Sequence, residues 1–119
     1  MQVPDPVGMA DWYVKNLGCA IARSGAPPGN ARFLVAGPVL IEIYKNSSVP
    51  IPNYPAMHPL QLHLAFTSEN VKADRDRLVR AGAALAEDYS TNALGDELVM
   101  LRDPWGVGLQ LVKRGAPML

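Results

Sequence analysis

The chain has 119 residues, 49% hydrophobic and 18% charged, enough for one domain with a real core and too few for two independent ones. Eleven Lys and Arg balance eleven Asp and Glu with no basic run, so neither nucleic acid nor an anionic membrane surface is an expected partner. The lone Cys19 cannot form an internal disulfide, and no apolar run approaches the ~20 residues needed to span a bilayer. The start Met-Gln-Val-Pro has neither a charged nor an apolar leader region, and a soluble, cytoplasmic protein is expected.

Asp5 can cap a helix with Pro6 at its first position, where a missing N–H costs nothing. Ala10, Tyr13 and Leu17 then fall on one stripe, and Gly18 is the natural stop. Cys19 to Arg23, Ala31 to Ala36 and Val39 to Tyr44 read as three antiparallel strands, separated by a turn-rich stretch at 24–30 and by Gly37-Pro38. Four prolines and no periodicity mark 46–59 as a partly extended linker.

Leu60 to Phe66 alternates as a strand, with Leu60, Leu62, Leu64 and Phe66 on one side and Gln61, His63 and Ala65 on the other. Ser68 or Asn70 can cap a helix whose core stripe is Val71, Leu78 and Val79, ended by Gly82. Ala84 to Tyr89, Glu97 to Arg102 and Gly108 to Val112 supply three more strands, with turns at 92–96 and 103–106. The expectation is a single domain over 1–119, with module one at 1–45, the linker at 46–59 and module two at 60–114.

The two halves repeat one order. Gly18 to Glu42 is 24 residues and Gly82 to Gln110 is 28, so polar residues sit at matching ends of matching strands. His63 lies 19 residues before Gly82, and the same step back from Gly18 precedes Met1, by one residue or two. The first strand of the first module is therefore expected to be truncated in this chain.

Several short motifs occur in a telling order: Asp5 with Trp12-Tyr13 and Leu17-Gly18, then Leu40-Ile41-Glu42-Ile43, His63-Leu64-Ala65-Phe66, and Asp103-Pro104-Trp105-Gly106 with Leu109-Gln110-Leu111. Together they resemble the vicinal oxygen chelate superfamily, which groups glyoxalase I, bleomycin-resistance proteins and extradiol dioxygenases. The resemblance covers nearly the whole chain and implies an α+β fold of two βαβββ modules that form a half-open, barrel-like cleft. It also implies a homodimer and a small-molecule ligand. Metal-dependent members place ligands on the first and last strands of each module; Glu42 and His63 match two of those positions, Gln110 stands where a glutamate is usual, and the fourth is missing.

Two readings follow. In the first, Glu42, His63 and Gln110 hold a divalent ion (Zn, Ni, Mn or Fe) in a lyase, isomerase or dioxygenase, with Glu42 as the catalytic base because an amide cannot be one. In the second, no metal is needed and Tyr44, Gln110 and His63 line a pocket for an apolar or aromatic ligand, as in drug-sequestering proteins. The second is preferred, since two of four ligand positions fail. Each residue also has a plainer role: His63 can simply bond Glu42, His58 can face solvent, and Trp12, Tyr13, Met100 and Phe33 can be core. Cys19 reads as a buried, inert thiol and the 74–77 charge run as a solvated helix face.

Overall fold

The computed structural model describes residues 1–118, and among these it holds two α-helices and seven strands, an α+β fold of two sheets, each of them open. The chain divides into two compact units, one spanning Met1–Pro52 and the other running from Asn53 onward.

In the first unit, α1 (Pro6–Leu17) begins where the Asp5 carboxylate accepts the Gly8 N–H at 3.0 Å. It ends at Gly18, whose φ of +68° is the left-handed cap that glycine adopts without strain. Met9, Ala10 and Tyr13 are fully buried, while Trp12 meets the Tyr13 ring edge-on at 5.4 Å. Strands β1 (Ala20–Ser24), β2 (Arg32–Ala36) and β3 (Val39–Ile43) form an antiparallel sheet in that order. Leu34 pairs with Ile41, and both share a face with Ile43; Leu34 and Ile43 are fully buried and α1 packs on this sheet. Burying each such aliphatic side chain contributes about 1.5–3 kcal/mol. Leu40, Glu42 and Tyr44 point the other way.

The second unit contains β4 (His63–Thr67), α2 (Val71–Arg80), β5 (Ala84–Thr91), β6 (Glu97–Arg102) and β7 (Gly108–Lys113), with sheet order β4-β7-β6-β5. Asn70 caps α2 by accepting the Ala73 N–H at 3.1 Å, and Ser68 instead binds the Asp74 carboxylate. Val71 and Leu78 pack inward with Val99, Leu101, Leu109 and Leu111 of the sheet.

Three expectations need correction. Val79 is not core but 44% exposed, since it lies about 100° round the helix from the fully buried Leu78. The strand begins at His63 and not at Leu60, because the His58 carbonyl accepts the Gln61 N–H at 2.8 Å and closes a turn behind Pro59. The proline-rich segment is not simply extended: Tyr54–Ala56 makes a 3₁₀ turn that buries Tyr54 to 4% exposure.

The two units repeat at the level of hydrogen bonds. Thr67 lies opposite Val112 in parallel, and Gln2 lies opposite Tyr44 in parallel, each three residues before its helix cap, Asn70 or Asp5. Four residues before Thr67 is His63; four before Gln2 is a position that precedes Met1.

Candidate functional site

Each sheet carries α-helix on one face and candidate site residues on the other. On the first sheet, Glu42 faces away from α1 between Leu40 and Tyr44 and lies opposite Phe33, over whose ring the Arg23 guanidinium sits at 5.5 Å. The Glu42 side chain is exposed and makes no hydrogen bond to a described residue. Its charge is felt by the Met1 amine: burial lowers that amine's pKa, and Glu42 partly opposes the shift. Tyr44, Lys45 and Asn46 line an open cavity of about 580 Å³ with Pro28 and Gly29.

On the second sheet the register decides the site. His63 lies opposite Gly108, and Gly108 opposite Arg102; Gln110 lies opposite Met100, and Val112 opposite Leu98. Residues paired in register share a face, so His63, Gln110, Met100, Arg102 and Leu98 all point away from α2. Glu87, paired with Met100, joins them from β5. Gly108 permits the close approach of β4, because a Cβ there would come 2.7 Å from the Leu62 carbonyl oxygen and 2.9 Å from the His63 Cβ.

The His63 ring is held by the Pro59 backbone. Its Nδ1 lies 2.8 Å from the Pro59 carbonyl oxygen, which can only accept, so Nδ1 donates and in the neutral ring Nε2 is left as an acceptor. The Gln110 amide, half-buried, makes no hydrogen bond to a described residue. Gln110 and Met100, with Leu60 and Ser90, line a cavity of about 150 Å³, and Leu60, Glu87 and Met100 recur in a second cavity of about 290 Å³ that also includes His58 and Arg102.

The structure thus brings His63 and Gln110 together on one face, and Glu42 and Tyr44 together on a face of the other sheet. Met100, read as core, is 6% exposed yet lines both of these cavities. Arg102, Glu87 and Leu60 are lining residues that the chain's motifs did not point to. Alternation along β6 could have placed Arg102 beside Met100, whereas Leu60 could not be found, since its position depends on the turn at 58–61. Cys19 is buried, and burial pushes its thiol pKa up, which suppresses the reactive thiolate.

Among the described residues no group of three or more His, Cys, Asp and Glu side chains is gathered that could hold a metal ion, and Gln110 brings no charge.

Residues 1–112 match the model of a family described as Glyoxalase-like domain. No curated protein matches significantly. A glyoxalase family protein from Enterococcus faecalis is 25% identical and aligns with a TM-score of 0.65 over 88% of this chain and 86% of its own. A glyoxalase/bleomycin resistance protein/dioxygenase family enzyme from Burkholderia phytofirmans PsJN is 20% identical, with a TM-score of 0.74 over 94% of this chain and 92% of its own. TioX from Micromonospora sp. ML1 is 17% identical, with a TM-score of 0.70 over 96% and 94%.

Proposed function

The chain belongs to the glyoxalase-like domain family, within the vicinal oxygen chelate superfamily, and from that premise we propose that it is a small-molecule-binding protein of the glyoxalase/bleomycin-resistance type. The supporting observation is the α2-free face of the second sheet. There the Gln110 amide, without a hydrogen bond to a described residue, lines a cavity with Met100, Leu98 and Leu60, and His63 shares that face of the sheet. Ligand sites commonly have this composition, mostly apolar with a few polar groups that fix orientation. In the first unit Tyr44, whose hydroxyl is likewise unbonded among the described residues, lines a cavity of its own.

The metal-dependent alternative, a lyase, isomerase or dioxygenase with Glu42 as base, draws support from one feature, the Nε2 of His63 left open by the Pro59 contact. Gln110, an uncharged amide, makes such a donor set a weak one.

A fragment panel of aromatic and aliphatic molecules, read by NMR on the labelled full chain, tests the proposal. Binders are expected to shift the Gln110 side-chain amide, and Gln110→Ala is expected to weaken them about tenfold, the loss of one or two hydrogen bonds. A panel that leaves Gln110 unmoved would sink the proposal. Elemental analysis of the purified protein, with His63→Ala beside it, would replace it with the metal reading if stoichiometric metal is found and lost with the variant.

A further inference from the structure

The 290 Å³ cavity of the second unit holds opposite charges that do not pair with each other. Arg102 has five N–H donors, and three hydrogen bonds, to the carbonyls of Tyr54, Gly106 and Met57 at 3.0, 3.1 and 2.7 Å, leave two of them over. Neither Arg102 nor Glu87 forms an ion pair with any described residue, although both line this cavity. His58 sits beside Arg102 in the lining, and its Nδ1 accepts the Leu60 N–H at 3.1 Å, so the neutral ring carries its proton on Nε2 and presents a donor. Leu60, 72% exposed, and Met100 supply the apolar lining.

The cavity therefore has donors at Arg102 and His58, positive charge at Arg102, a carboxylate at Glu87, and an apolar wall. Two opposite charges thus line one cavity without forming an ion pair. We infer that this cavity takes a small zwitterion with an aliphatic body, an amino-acid-like molecule. Its carboxylate is received by Arg102 and His58, its ammonium by Glu87, and its side chain by Leu60 and Met100. At about 30 Å³ per water-sized group, the volume suits a body on the order of ten non-hydrogen atoms. Partial burial of Arg102 raises the worth of the carboxylate contact above its value in water. This inference rests on the small-molecule reading of the same face and gives it a ligand class.

The test uses the labelled full chain and three probes: L-leucine, 4-methylpentanoate, which lacks the ammonium, and 3-methylbutylamine, which lacks the carboxylate. Leucine is expected to shift Glu87, Met100 and Arg102 resonances and to bind about tenfold or more tightly than either truncated probe. Glu87→Gln, at an exposed side chain, is expected to lower leucine affinity about tenfold while leaving 4-methylpentanoate within about twofold. Equal binding of the three probes, shifts confined to other residues, or no leucine binding at all would overturn the inference. Fragments that still move Gln110 in that case leave the broader proposal standing; if nothing moves Gln110, the broader proposal fails as well.

Discussion

Single side chains decide most of the local geometry. Asp96 is 5% exposed and takes hydrogen bonds from the Asn92 side chain at 3.0 Å, the Gly115 N–H at 2.9 Å and Arg114 at 3.1 Å. The Asn92 and Gly115 contacts lead in holding its carboxyl below the ordinary 3.8. A carboxyl whose folded pKa is depressed adds stability that is present above the unfolded value and lost as pH falls through the folded one. Unfolding midpoints in urea are therefore expected to drop on acidification below about pH 3.8, and Asp96→Asn is expected to flatten that part of the profile. An unchanged slope in the variant would show that other carboxylates carry the effect. His63 marks where residue-level reading stops. Alternation set its side of the strand, but its free nitrogen follows from the Pro59 carbonyl 2.8 Å away, a contact made by a turn with no strand pattern.

At the scale of elements, both helices and their caps were legible, though not the outward side of Val79, and the strands nearly so. Asp5 and Asn70 cap where their side chains can reach backbone N–H groups, and Gly18 stops a helix that a Cβ-bearing residue would let run on or strain. Asp5→Ala is expected to cost about 1 kcal/mol, and Leu78→Ala about 2–5 kcal/mol, both by chemical denaturation. A Leu78→Ala loss no greater than that of Asp5→Ala would contradict the packing of α2 on the sheet. The misplaced strand start at Leu60 has a clear cause. Leu60, Leu62, Leu64 and Phe66 alternate without a break, yet Pro59 and the His58–Gln61 hydrogen bond hold the first of them in a turn. That difference moves Leu60 from a sheet position to a cavity wall.

For the whole molecule, the family premise carries the expectation of a homodimer and two exposed edge strands add to it. All five residues of β1 are exposed, Ile21 among them at 40%, and β1 and β5 each end a sheet with one side unpaired in the order of strands. Sedimentation equilibrium is expected to return twice the 12.8 kDa chain mass, and a monomer at micromolar concentration would remove the dimer from the proposal. No helix among the described residues is long and apolar enough to cross a membrane. What the chain's own order of residues determined was the repeat, the caps, the family and the side of the strand on which His63 lies. These depend on local rules, the 3.6 and 2.0 periods and the turn preferences of Gly, Pro, Asp and Asn. Only the tertiary structure decided which strands lie side by side, and hence that Arg102, Met100 and Glu87 share a face with Gln110. Pairing register is set by contacts between residues far apart in the chain, and no single strand's pattern contains it.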